Sequence, residues 1–256
     1  MQKPVFIQSR DNAFVKDLRR LAEDGSAYRR QGRVWIEGDH LCRAALARGR
    51  QPAIGVYAES FWPQAEAQYA QYAPKNIVIA DAILAGISSL PSAAPMGFVM
   101  DLPAEAAAIQ PEVATVVLDR VQDAGNVGSI LRSASAFGFG QVVALKGTAA
   151  LWSGKVLRSG MGAHFGLHLV ESVDEAQLQA LAVPLLVTSS HRGDWLHQAR
   201  LPWPCAWVMG NEGQGVAASI EAAAEAHVRI AQPGGEESLN VAAAAAICLH
   251  TSACQR

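Results

Sequence analysis

Apolar positions in the first hundred residues switch repeatedly between two periods. Phe14 to Leu21 has helical spacing, Val34-Trp35-Ile36 reads as a strand, and Leu41 to Ala47 returns to helical spacing. A second cycle gives Ile54 to Tyr57 as strand, Phe61 to Tyr72 as helix, Ile77 to Ile79 as strand, Ala82 to Ile87 as a short helix, and Gly97 to Met100 as a last strand. This alternation predicts a small α/β layer domain over residues 1–100. Residues 101–112 carry two prolines and no strand pattern, which predicts a linker.

From residue 113 the pattern becomes more regular. Short, mostly apolar strands are expected at Val113–Leu118, Gln141–Leu145, Leu167–Val170, Leu185–Thr188, Ala206–Met209 and Val228–Ile230. Helical stretches follow at Asn126–Phe137 and Lys155–Met161, and Val241–Ser252 closes the chain as an Ala-rich helix. Strands apolar on both faces and separated by helices imply a mostly parallel α/β sheet covered on both sides, so residues 113–256 are read as one domain. Such sheets bind ligands in the loops beyond the carboxyl ends of their strands.

Three stretches follow strands at that end: Asn126 to Arg132, Gly210 to Gly215, and Ile230 through Glu237-Ser238-Leu239-Asn240-Val241. Each has a local explanation. Asn126 after a glycine reads as a helix N-cap, the three glycines of 210–215 as a tight turn, and Ser238 as a cap ahead of the last helix. Arg132 does not reduce to local structure. A guanidinium on a helix of small and apolar residues needs an anionic partner, which a substrate phosphate or a carboxylate such as Glu212 can supply. The glycine turn is neither a P-loop nor G-x-G-x-x-G, so a dinucleotide site is disfavoured.

Composition narrows the picture. The chain has 256 residues, 50% of them hydrophobic, enough to fill real cores. Its net charge of -2 hides an asymmetry: residues 1–50 hold eleven Lys or Arg against six Asp or Glu, a net of +5, which leaves -7 for the rest. Most of that positive charge is arginine, at 19, 20, 29, 30, 33, 43, 48 and 50, and the guanidinium fork suits phosphate. The four cysteines form no C-x-x-C pair, so reduced core thiols are expected rather than a zinc site or disulfides. His164 and His168 share i, i+4 spacing but lack the Glu of H-E-x-x-H, and no metal site is expected. Ser190 lacks the G-x-S-x-G elbow of a hydrolase nucleophile. No signal peptide and no apolar run long enough to span a bilayer is found, so a cytoplasmic protein without membrane contact is expected.

In order and spacing, the three stretches resemble the motifs of the SpoU (TrmH-like) class of SPOUT RNA 2'-O-ribose methyltransferases. The resemblance covers nearly all of residues 113–256 and includes Lys155 to His164, similar to the segment that joins the first two motifs in bacterial members. The basic N-terminal region more loosely resembles the ribosomal-protein-L30e-like substrate-binding domain of many rRNA-modifying members. The resemblance implies a parallel sheet with a C-terminal trefoil knot, a topology that general chain-threading rules would argue against. It implies S-adenosyl-L-methionine as cofactor, contacted by Met209, Gly210, Asn211, Ile230 and Leu239. It places Arg132 as the catalytic arginine, with Asn126, Glu212, Ser238 and Asn240 as the polar residues that position it, the ribose and the cofactor loop.

The activity implied is 2'-O-methylation of RNA, with 23S rRNA favoured over tRNA by the extra N-terminal domain. A non-catalytic RNA-binding module with the same fold is the alternative from another class. Family resemblance also implies a homodimer through the last helix and the knot region. Because a guanidinium is a poor base near neutral pH, electrostatic stabilisation of a developing alkoxide by Arg132 is at least as plausible as proton abstraction.

Overall fold

The computed structural model describes residues 3–88, 92–189, 192–234 and 238–256. Gly235 and Glu237 of the third stretch, and Ser190 and His191, lie outside the described residues. The chain divides into two compact units, one of residues 1–104 with 152–165, the other of 105–151 with 166–256.

The first unit runs β1 (Val5–Ile7), α1 (Ala13–Glu23), α2 (Ala27–Gln31), β2 (Arg33–Glu37), α3 (Asp39–Ala47), β3 (Ile54–Ala58), α4 (Trp62–Gln68), β4 (Lys75–Ile79), α5 (Asp81–Ala85) and β5 (Met96–Asp101). Its sheet has the order β1-β4-β3-β5-β2, with β1, β4 and β3 parallel and β5 antiparallel to both its neighbours. Helix α1 starts where the Asn12 side chain accepts a hydrogen bond from the Phe14 amide at 2.9 Å, satisfying a donor the helix cannot. It buries Val15 and Leu18 against the sheet, each stabilising the unit by about 1.5–3 kcal/mol. The expected helix over 61–72 is broken into α4 flanked by two single 3-10 turns. Strand β1 was not expected: it has three residues, and two of them, Val5 and Phe6, are exposed, so it leaves no apolar alternation to read.

The second unit carries β6 (Thr115–Leu118), α6 (Ala124–Ala136) and β7 (Gln141–Leu145). Helix α7 (Gly154–Gly160), expected as part of this domain, belongs to the first unit, where it packs on α1 and β2. The second unit resumes with β8 (His168–Val173), β9 (Leu185–Thr188), β10 (Asp194–Trp195), β11 (Ala206–Met209), α8 (Ala218–Ala223), β12 (Ala226–Arg229) and α9 (Val241–Gln255). All seven strands are parallel, in the order β10-β12-β9-β11-β6-β7-β8. The sequence pattern missed β10 because a two-residue strand, both residues exposed, carries no period.

Residues 105–112, expected as linker, belong to the second unit. Ala107 and Ile109 pack on its core. The buried Gln141 accepts from the Gln110 amide at 2.7 Å and donates to the Gln110 carbonyl at 3.1 Å and to Thr115 Oγ1 at 2.8 Å. Two prolines end regular structure but do not prevent packing. Helix α9 lies on α6 and β11, burying Ala245, Cys248, Leu249 and Ser252, the i, i+3, i+4, i+7 stripe of one helix face. Trp207 Nε1 donates to Ser252 Oγ at 2.8 Å beneath it.

Candidate active site

Strand order decides which loops meet. Strands β6 and β11 are neighbours, with Leu118 opposite Met209, so the loops leaving their carboxyl ends run side by side. The first stretch follows β6 and the second follows β11.

Helix α6 is capped by Asp123, whose Oδ1 accepts from the Asn126 amide at 2.8 Å. The N-cap reading of Asn126 is therefore corrected: the helix begins two residues earlier, because Asp is an equally good cap. This frees the Asn126 side chain. Its Nδ2 donates to Glu212 Oε1 at 3.0 Å, and its Oδ1 accepts from Asn240 Nδ2 at 3.0 Å. Asn240 in turn caps α9, its Oδ1 accepting from the amides of Ala242 at 2.9 Å and Ala243 at 3.3 Å. Ser238, expected as a cap, stands three residues before the helix start and does not cap it.

Polarity orders this chain in one direction. A carboxylate only accepts, so Asn126 turns its amide nitrogen to Glu212 and its oxygen to Asn240. The Asn240 oxygen is then left for the helix amides, which only donate. Side chains from all three stretches are joined in one line, Asn240 to Asn126 to Glu212.

Glu212 also accepts from the amides of Gln122 at 3.2 Å and Asp123 at 3.3 Å. Partial burial on its own pushes this carboxyl up, but the bonds from Asn126, from its own backbone and from Gln122 and Asp123 outweigh it. The net effect holds Glu212 below its ordinary value.

The 210–215 turn closes on itself. Asn211 and Gly215 exchange backbone hydrogen bonds of 3.0 and 2.9 Å, and Asn211 Oδ1 accepts from the amides of Gly213 and Gln214, both at 3.0 Å. A Cβ on Gly210 would stand 2.4 Å from the Gly215 carbonyl carbon and 2.5 Å from the Val216 nitrogen, and Gly215 has φ +70°. Both positions therefore need glycine. Met209 ends β11 fully buried.

Arg132 lies exposed on α6 and, among the described residues, has no hydrogen-bond or ion-pair partner. Glu212, offered above as a possible partner, is committed to Asn126 instead. Ile230 stands one residue past β12 and is half-buried, Ser238 is exposed, and Leu239 is 38% exposed. Sequence reasoning passed over Asp119 and Arg120, which sit directly after β6. Their signal was a charged pair closing an apolar strand, and Asp119 is fully buried.

A family model described as the SpoU rRNA Methylase family matches residues 114–250. The chain is 31% identical over 250 residues to the 23S rRNA (guanosine(2553)-2'-O)-methyltransferase RlmP of Bacillus subtilis, an alignment covering 95% of this chain and 97% of the relative. Among solved structures it resembles an AdoMet-bound rRNA methyltransferase from Sinorhizobium meliloti, with a TM-score of 0.82, 25% identity and 96% of each chain covered. It also resembles an RNA 2'-O ribose methyltransferase, with a TM-score of 0.79, 27% identity and 98% and 99% covered. The chain belongs to the SpoU rRNA methylase family. Its seven-stranded parallel unit matches the SPOUT methyltransferase structures.

Proposed function

We propose that this protein transfers a methyl group from S-adenosyl-L-methionine to a ribose 2'-hydroxyl of RNA, with 23S rRNA as the substrate. The observation that carries this reading is the Asn240–Asn126–Glu212 line, which ties three separate motifs together at the start of the helix that bears Arg132, an arginine with no partner among the described residues. The near full-length likeness to a relative named as a 23S rRNA 2'-O-methyltransferase supports the substrate.

The residues present fit the cofactor. Gly215, with open space where a side chain would stand, leaves backbone that a ligand can approach, and half-buried Ile230 and exposed Leu239 offer apolar walls for an adenine. Met209, Gly210, Asn211, Ile230 and Leu239 would hold it. When bound, S-adenosyl-L-methionine supplies an electrophilic methyl group.

The chain's own residues align the ribose and deal with its proton. Arg132 binds the phosphate next to the target ribose and stabilises negative charge on the 2'-oxygen as its proton passes to solvent water. Asn126, Glu212 and Asn240 fix the start of α6, and with it the direction of the helix that bears Arg132. Ser238 adds a hydroxyl on the third loop for the ribose or the cofactor.

RNA docks on the first unit, read as the L30e-like domain. Arg20, Arg30, Arg33 and Arg43 are paired with Asp17, Asp24, Asp101 and Asp39, all as exposed pairs of small net value. Arg10, Arg19 and Arg48 have no carboxylate partner among the described residues and carry the free positive charge. The protein works as a homodimer through α9, whose outer face carries alanines and the exposed Ile247, next to the trefoil knot that the family resemblance implies for the second unit. Among the described residues no helix is long and apolar enough to cross a membrane, and the three buried free thiols suit a reducing compartment, taken here as the cytoplasm.

Calorimetry with S-adenosyl-L-methionine, paired with methyl transfer to rRNA, tests this reading. Micromolar binding and transfer to ribose are expected. RNA binding without cofactor binding would make the protein a docking module instead.

A further inference from the structure

Asp119 is the one carboxylate among the buried polar side chains of the described residues, and it is fully buried. A buried charge is tolerated only with several good partners. Asp119 has three bonds: Arg120 Nε at 2.7 Å, Arg120 Nη2 at 3.0 Å and the Ala217 amide at 2.7 Å. Its own amide donates to the Met209 carbonyl at 2.8 Å. Met209 is the last residue of β11 and Ala217 the residue before α8, so Asp119 touches the two ends of the glycine turn.

Arg120 holds the turn between those ends. Its carbonyl accepts from Asn211 Nδ2 at 2.8 Å, and its Nη1 donates to Gln214 Oε1 at 3.3 Å. The first of these bonds orients the Asn211 side chain whose oxygen gathers the Gly213 and Gln214 amides. To do this Arg120 takes a left-handed backbone conformation, φ 57°, that a non-glycine residue adopts at a cost. Gly147, itself at φ +92°, leaves room for it: a Cβ there would press on Arg120 Cγ at 3.2 Å. Four points of the turn, at 209, 211, 214 and 217, are thus tied to two consecutive residues of a neighbouring strand end.

We infer that Asp119 and Arg120 form a clamp that sets the shape of the 210–215 turn for the methyl donor, making Arg120 a positioning residue for cofactor binding. This rests on the reading of that turn as the S-adenosyl-L-methionine site. The clamp acts through the turn, so its loss weakens cofactor binding and leaves methyl transfer at saturating cofactor largely intact.

The test uses the full chain with Arg120→Met, which keeps the stem and removes the fork, Arg120→Lys, and Gln214→Ala, which removes the outermost bond. Gln214 is exposed and Arg120→Lys keeps a cation beside the buried Asp119, so these two variants keep the test readable even if Arg120→Met, which leaves that carboxylate with the Ala217 amide alone, does not fold. S-adenosyl-L-methionine affinity by calorimetry should fall about tenfold or more in Arg120→Met and less in the other two, in line with loss of charge-assisted bonds. KM for the cofactor should rise by the same factor, with kcat within about threefold. Amide hydrogen exchange at Gly213 and Gln214 should quicken in the ligand-free Arg120→Met protein. Wild-type affinity in Arg120→Met, or a collapse of kcat at unchanged KM, would overturn the clamp. If the wild-type protein binds no S-adenosyl-L-methionine, the reading of the turn fails and the clamp's role for the cofactor with it. The exchange rates then separately decide whether Arg120 holds the turn at all.

Discussion

Arg132 stands exposed on α6 with no partner among the described residues, while Glu212, one carboxylate that could have paired with it, is bound to Asn126. Nothing in the described protein neutralises this guanidinium, which is what a residue waiting for a substrate phosphate requires. Arg132→Ala should cut single-turnover methylation by about 10²–10³, the usual cost of removing an electrostatic stabiliser. Near-normal transfer in that variant would remove Arg132 from the chemistry. Glu212 carries a pH signature. Its folded value is depressed, so its contribution is complete above the ordinary carboxylate value of about 4.3 and is lost only as pH falls through the lower folded value. A carbon-detected titration should place the Glu212 midpoint below about 4.3, and a midpoint at or above it would contradict the bonding described. The cysteines separate by burial. Burial pushes Cys42 well up, Cys205 to about 11 and Cys248 to about 12, whereas Cys254 is exposed. Native-state labelling at neutral pH should modify Cys254 first, and equal labelling of Cys248 would show the α9 packing to be wrong.

At the scale of elements, the site consists of helix starts and one turn held in register. The long elements were legible in the sequence because burial imposes a period: β6, β7, β9, β11, α6 and α9 all fall where the apolar pattern put them, within a few residues. Which residue caps each helix was not legible. Asp123 and Asn126, or Ser238 and Asn240, are chemically equivalent caps, and only the position of the first helical turn selects between them. That selection matters, because the residue not used as a cap keeps its side chain for the site. The Asp119–Arg120 pair was equally hidden, since its meaning comes from β6 and β11 being neighbours in space though some ninety residues apart. Asn240→Ala should cost about 1 kcal/mol through the lost cap of α9, lowering Tm by about 2–4 °C. It should also abolish activity out of proportion to that change, because the link to Asn126 goes with the cap. A stable variant with wild-type turnover would remove Asn240 from the site.

For the whole molecule, charge is unevenly divided, with a net +5 on the first fifty residues and -7 on the remainder. On the proposal that RNA docks on the first unit, its affinity should fall steeply with salt through phosphate contacts there. Replacing Arg10, Arg19 and Arg48 together by Ala should flatten the slope of log affinity against log salt and leave S-adenosyl-L-methionine binding unchanged. An unaltered slope would place the RNA elsewhere. The sequence hinted at this asymmetry but not at the ion pairs that spend part of it, because Asp24 with Arg30 and Asp101 with Arg33 meet only in the folded unit. The most direct test of the account incubates purified protein with rRNA and isotope-labelled S-adenosyl-L-methionine, then locates the label by nucleoside mass spectrometry. The predicted result is label on a ribose 2'-oxygen with the wild-type protein and none with Arg132→Ala; label on a base, or equal ribose labelling by both proteins, would contradict it.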